Sequence, residues 1–164
     1  MKIIIAAFGK LKTPGIRDAT DYYLRNLGAW ADVEELELKA AHVSDKSAAT
    51  RVKIQKFEEE LLFEKLQKKI SPRGAIILLD EKGKAEPTQN WAKQIEKLQN
   101  EGVSEIVFCI GGSLGFSAEA RKNARAVFSF GPQTLSHEIA RLVLAEQLYR
   151  SFSVLNGHPY HHEG

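Results

Sequence analysis

Cysteine is nearly absent from this chain, with Cys109 the only one in 164 residues. A single thiol excludes an internal disulfide and fits a reducing compartment. It lies inside an apolar run, so it reads as a buried, inert core thiol rather than a reactive one. Long apolar runs are missing as well. None approaches the roughly 20 residues that a membrane-spanning helix requires, and residues 1–8 are too short for the core of a secretion signal. The expectation is a soluble, cytoplasmic protein. Charge of one sign is also lacking, with 23 Lys and Arg against 21 Asp and Glu and a formal net charge of +2. That balance neither requires nor excludes nucleic acid, because a basic face can exist within a near-neutral total. Internal repeats and low-complexity segments do not occur. What remains is ordinary globular composition, 43% hydrophobic and 27% charged, in a length suited to a single domain over residues 1–164.

Apolar runs alternate with amphipathic ones along the chain. Strands are expected at residues 2–8, 33–38, 75–79, 105–110 and 126–129, and helices at 16–27, 48–69, 89–99, 117–125 and 137–152. In the long second helix Val52, Phe57, Leu61, Leu62, Leu66 and Ile70 suggest one apolar side, and Pro72 and Gly74 end it. This alternation predicts an α/β protein with a largely parallel sheet. The last helix is apolar nearly all round, through Ile139, Ala140, Leu142, Val143, Leu144, Ala145, Leu148 and Phe152. Such a helix needs covering on two sides, which points to a homodimer interface in addition to the sheet. Arg141 and Arg150 interrupt its apolar surface and could reach a pocket or pair with Glu138 and Glu146.

The chemistry concentrates in the last third. Two strand ends lead into turns rich in backbone N–H groups: Ile110-Gly111-Gly112-Ser113-Leu114-Gly115, and Phe130-Gly131-Pro132-Gln133-Thr134-Leu135. In open parallel sheets, ligands sit outside the carboxyl ends of strands, where such turns gather. Glycine permits close backbone approach to a carboxylate or ribose hydroxyl. The spacing matches neither the dinucleotide fingerprint nor the phosphate-binding P-loop, so its weight comes from the neighbouring Leu79-Asp80 strand end. His158, His161, His162 and Glu163 read as a solvated tail rather than a metal site, since no helical i,i+4 pair presents them. Tyr160 and its neighbours offer rings on which a base could stack. Two basic groups, Lys10, Lys12, Arg17 and Arg25, then Lys65, Lys68, Lys69 and Arg73, could neutralise phosphates. The second group reads more simply as a solvated helix face.

In order, these motifs resemble the RlmH family of SPOUT-class methyltransferases, which act on large-subunit ribosomal RNA. The match runs through Gly9-Lys10, Leu79-Asp80-x-x-Gly83-Lys84 and Ile110-Gly111-Gly112-x-x-Gly115. It continues with Thr134-Leu135-x-His137, Arg141, Leu144-x-Glu146-Gln147-Leu148-Tyr149-Arg150 and Pro159-Tyr160-His161. The resemblance implies an α/β fold with a deep C-terminal trefoil knot, which no periodicity reveals. It implies S-adenosylmethionine held by Leu79, Gly111, Gly112, Phe130, Gly131, Pro132, Gln133, Thr134 and Leu135. It implies methyl transfer to N3 of a pseudouridine in the helix 69 loop of 23S rRNA, by a homodimer acting on the assembled ribosome without a metal. Tyr160 and His161 match the family's functional tail and are the candidate catalytic residues. Arg141, Arg150 and His162 are candidates for contact with RNA. Two other readings stand beside this one: a SPOUT enzyme for another RNA nucleoside, and a non-catalytic ribosome- or RNA-binding dimer.

The chain departs from the family pattern twice. Ser136 stands where the family usually has proline before His137, and the expected consequence is a looser cofactor loop. His162 stands in place of a tail arginine, so a permanent cation becomes a titratable one and a phosphate contact there should weaken at neutral pH.

Overall fold

A computed structural model describes residues 1–45 and 47–162, with the side chains of His161 and His162 outside that description. Its elements run β1 (Lys2–Phe8), α1 (Ile16–Leu27), β2 (Asp32–Leu38), α2 (Ala48–Gln67), β3 (Ala75–Ala85) and α3 (Thr88–Asn100). They continue with β4 (Glu105–Ile110), α4 (Ala118–Asn123), β5 (Ala126–Ser129) and α5 (His137–Leu155), and close on a 3₁₀ turn at Pro159–His162. The strands form one sheet in the order β2-β1-β4-β3-β5, and every pairing is parallel. Parallel strands covered on both faces read as continuous apolar runs. That explains Lys2–Phe8 and Glu105–Ile110, each buried at every position but its first. Ile3, Ile5 and Ala7 point into one core layer beneath α1, α3 and α5. Ile4, Ala6 and Phe8 point into the other, with Leu62 and Leu66 of α2 and Ala120 of α4. This is the expected α/β architecture with helices on both faces. Its strand order, with β5 outside β3 and α5 returning against α1 and β1, accords with a knotted C-terminal path.

The sheet's edges are protected differently. β2 carries Glu34, Glu35 and Glu37, and charge on an edge strand discourages pairing with another chain. β5 is only four residues long. Its partner β3 runs farther than the sequence suggests. Leu79 pairs with Phe128, the register breaks, and pairing resumes at Lys84 with Phe128 and Ala85 with Ser129. The intervening residues form a bulge, and the close strand approach depends on Gly83. A Cβ there would lie 2.7 Å from the Phe128 backbone.

In α2 the expected apolar side is corrected. Val52 and Phe57 are 65% and 56% exposed, while the buried positions are Ile54, Gln55, Glu58, Leu62 and Leu66. The spacing of 54, 58, 62 and 66 gives a stripe one turn apart, but the sequence puts a glutamate in it. Ser47 starts the helix, accepting a hydrogen bond from Thr50 N at 3.1 Å. In α5 much of the covering is intramolecular, since α1 and α3 both pack on it. What remains open is its first outward turns, where Ile139 is exposed and Leu142 and Val143 are half-buried.

Candidate active site

The carboxyl ends of β4, β3 and β5 are neighbours in the sheet, and a cavity of about 750 Å³ opens there. Leu79 and Asp80 enter it from β3, Ile110 to Ser117 from the turn after β4, and Ser129 to Gly131 from β5. The chain then continues past Gln133, Thr134 and Leu135 to His137 and Ala140 at the start of α5. Two turns depend on glycine: Gly115 has φ +64° and Gly131 φ +124°, a region that residues bearing a Cβ rarely occupy. The second turn is cross-braced, with Gly131 N donating to Ser129 Oγ at 3.0 Å and Thr134 Oγ1 donating to Glu81 at 2.9 Å. Phe130 stacks on Trp91 of α3, ring centres 5.6 Å apart, which fixes an aromatic wall for the cavity.

The glycine turn after β4 stands on α2. Gln55 Nε2 donates to the Leu114 carbonyl at 2.9 Å, and Arg51 donates to the same oxygen at 3.3 Å. Glu59 accepts from Ser117 N and Oγ at 2.6 and 2.9 Å. Glu58, only 4% exposed, accepts from Ala41 N at 2.9 Å, and its carboxylate packs against Gly112. A Cβ on Gly112 would come within 2.3 Å of Glu58 Oε2. Gly112 is therefore glycine for the sake of Glu58 as well as for any ligand. Burial, with the Glu59 charge adding to it, raises the Glu58 pKa above the ordinary carboxylate range, against the lowering effect of the Ala41 donor.

Of the residues singled out for the cofactor, Leu79, Gly111, Gly112, Phe130, Gly131, Gln133, Thr134 and Leu135 all line this cavity, and Pro132 does not. Tyr160 is not among the lining residues either. It packs on Tyr149 with ring centres 4.5 Å apart and lies beneath the Arg150 guanidinium, 4.7 Å from the ring centre. Arg150 pairs with Glu146 at 2.8 Å, and the Tyr160 hydroxyl donates to the same carboxylate at 3.2 Å. Burial, then the neighbouring Tyr23 and Glu146, pushes the Tyr160 pKa upward, so in this position it is a hydrogen-bond donor. His137, at the cavity, and Arg150, under the tail, stand thirteen residues apart on α5, which is roughly 20 Å of helix at about 1.5 Å per residue. The chain holds its pocket and its tail at opposite ends of one helix.

Two expectations change here. Arg141, considered for RNA contact, is 1% exposed. Its guanidinium is closed by Glu35 at 2.6 and 2.9 Å and by Glu37 at 2.6 Å. It joins α5 to β2 and faces the interior. Ser136, expected to loosen the cofactor loop, is the cap of α5, its Oγ accepting from Ile139 N at 3.3 Å, a role proline cannot fill. Glu138 in turn accepts from the backbone of Lys12 and Thr13, fastening the β1–α1 loop beside the pocket. The side chains of His161 and His162 lie outside the described residues. Among the described residues no group of three or more His, Cys, Asp or Glu is arranged to hold a metal, and no helix is long and apolar enough to cross a membrane.

A family model described as Predicted SPOUT methyltransferase matches residues 1–161. The chain belongs to this SPOUT family. It is similar to Ribosomal RNA large subunit methyltransferase H of Shouchella clausii, 37% identical over 161 residues that cover 98% of this chain and 99% of the relative. The same-named protein of Streptococcus thermophilus is 35% identical with the same coverage. The fold is shared with a probable methylase family protein from Haemophilus influenzae, at a TM-score of 0.53 and 13% identity over 96% of this chain and 67% of that one.

SPOUT methyltransferases use S-adenosylmethionine, and the cavity fits it. About 750 Å³ falls within the range of roughly 300–1,000 Å³ typical of small-molecule sites. Among its lining residues, Leu79, Phe130 and Leu135 suit a purine, and the charged side chains suit an amino acid. Sequence reasoning did not find Arg51, Gln55 and Arg121, because helices α2 and α4 carry no local mark of a pocket. Asp80 and His137 were legible only as parts of motifs.

Proposed function

We propose that this protein transfers a methyl group from S-adenosylmethionine to N3 of a pseudouridine in the helix 69 loop of 23S rRNA. In this reading it is one SPOUT domain, working in the cytoplasm as a homodimer on the assembled ribosome. The relatives' names support a large-subunit rRNA substrate, and the ordered motifs support the finer assignment.

The observation that carries the dimer is the separation of pocket and tail along α5. A cofactor pocket in one protomer needs substrate-positioning groups, and its own Tyr160 is docked on Tyr149 and Arg150 at the far end of the helix. An antiparallel second copy of α5 would bring the partner's tail to this pocket, and the exposed Ile139 and Leu135 supply apolar surface for that contact.

S-adenosylmethionine, when bound, supplies a methyl group on a sulfonium that carries its own leaving group. The protein's part is to orient the acceptor nitrogen in line and to favour loss of its proton. His137 is the imidazole that lines the cavity among the described residues. Its ring lies against Gly9, where a Cβ would come within 2.9 Å of Nε2. In this reading Tyr160 and His161 of the tail position the target base, and His137 is available at the cavity to take the N3 proton.

Purified protein, labelled S-adenosylmethionine and undermodified ribosomes test the reading directly, with the methylated nucleoside mapped by mass spectrometry. Label on the helix 69 pseudouridine is expected. Label elsewhere would transfer the activity to another nucleoside, and no label despite measured cofactor binding would favour the non-catalytic RNA-binding dimer.

A further inference from the structure

Charge is distributed unevenly in this cavity. The ends of β3, α2 and α4 bring Asp80, Arg121 and Arg51 to its lining, and Leu79, Phe130 and Leu135 are among the apolar residues there. Asp80 is the most enclosed of the charged groups, its side chain 7% exposed against 20% for Arg121. Its Oδ1 accepts from Lys82 N at 2.8 Å and its Oδ2 from Arg121 Nη1 at 3.2 Å. An ionised carboxylate has about four acceptor sites, so each oxygen retains acceptor capacity beyond these two bonds. Gly115 leaves Oδ2 uncovered on its side, where a Cβ would sit in van der Waals contact at 3.7 Å. Arg121 spends Nη1 on Asp80 and on the Phe116 carbonyl at 2.5 Å. Among the described residues its Nε and Nη2 have no protein acceptor. Glu81, by contrast, is held by Thr134.

We infer that Asp80 and Arg121 form a zwitterion subsite, with Asp80 taking an α-ammonium group and Arg121 an α-carboxylate of the same ligand. The inference rests on the cofactor reading and deepens it, by naming which end of the ligand the charged pole selects. A salt-bridged pair at this site is preorganised for the task. Each charge keeps one partner in the free protein and gains a second on binding, so neither is left uncompensated in a partly buried site. The apolar end alone would hold any adenosine thioether. The charged end makes the site demand an amino acid attached to it.

Equilibrium binding with three adenosine ligands tests this without reference to methyl transfer. S-adenosylhomocysteine carries the whole zwitterion, decarboxylated S-adenosylmethionine keeps only its ammonium, and 5′-methylthioadenosine has neither. Asp80→Asn, nearly isosteric, should weaken the first two by about 10- to 100-fold, the scale of a charge-assisted hydrogen bond, and leave methylthioadenosine within about twofold. Arg121→Gln should weaken S-adenosylhomocysteine alone. Retained methylthioadenosine binding shows in the same titration that each variant is folded. Equal losses for all three ligands, or unchanged affinity for S-adenosylhomocysteine in Asp80→Asn, would overturn the subsite while leaving the cofactor pocket standing. If the unaltered protein binds none of the three, the cofactor reading fails and the subsite with it.

Discussion

At the residue scale, several side chains acquire their role from a neighbour distant in sequence. Gly112 looks like a ligand-binding glycine, yet Glu58 of α2 occupies the space a side chain would need. Gly112→Ala should therefore destabilise the fold by about 1–3 kcal/mol through overpacking, and Glu58→Ala in the same chain should recover more than half of that loss. Urea denaturation of the double-mutant cycle measures it, and strictly additive losses would show that the two do not meet. Glu58 also sets a pH dependence. Its folded-state pKa is raised, so the folded protein holds this proton more tightly than the unfolded chain. Its contribution to stability consequently falls as pH rises from the ordinary carboxylate range through the raised value. Glu58→Gln should be more stable than the parent at neutral pH, with the advantage fading as pH falls. Denaturation midpoints across that window decide it, and a constant difference at every pH would exclude titration of Glu58 as the cause. Arg141 was legible as an interruption of an apolar face, but nothing local named Glu35 and Glu37, more than a hundred residues earlier, as its partners.

At the element scale, β3 and α5 do the positioning. The bulge that carries Asp80 and Glu81 into the cavity exists because β3 rejoins β5 after Leu79, and Gly83 permits that return. Gly83→Val should detach the second half of this pairing. Hydrogen exchange at Phe128 and Ser129 would then accelerate while β1 and β4 stay protected, and uniform acceleration would mean global destabilisation instead. For α5 the informative change is Ser136→Ala, which removes the cap and should cost about 0.5–2 kcal/mol in thermal or chemical denaturation. No loss would mean the loop is held by Glu138 alone. The apolar side of α3 could be read from the spacing of Trp91, Ile95 and Leu98, all of them buried. That of α2 could not, because its buried stripe includes Gln55 and Glu58, whose burial is satisfied by the backbone of other segments.

At the scale of the whole molecule, the separation of pocket and tail leads to a complementation test. A Gly111→Trp chain should have no cofactor site, and a Tyr160→Ala chain should lack its tail contact. Neither should methylate alone. Mixed in equal amounts, they should form heterodimers with one complete site each, giving about a quarter of the unaltered activity if subunits assort at random. Continued inactivity in mixtures shown to contain heterodimers would place pocket and tail in the same protomer.

The amino-acid sequence by itself determined the alternating elements, the two-faced parallel sheet and the pair of turns that meet at one cavity. Each of these follows from short-range pattern: continuous apolar runs where strands are covered twice, and glycines where turns need them. Tertiary structure alone decided the burial of Arg141, the exposure of Val52 and Phe57, the use of Ser136 as a cap and the place of Asp80 beside Arg121. A charged or polar side chain has no intrinsic address. Whether it faces water, a ligand or the core depends on which distant groups can satisfy it, and only the folded chain brings those groups within reach.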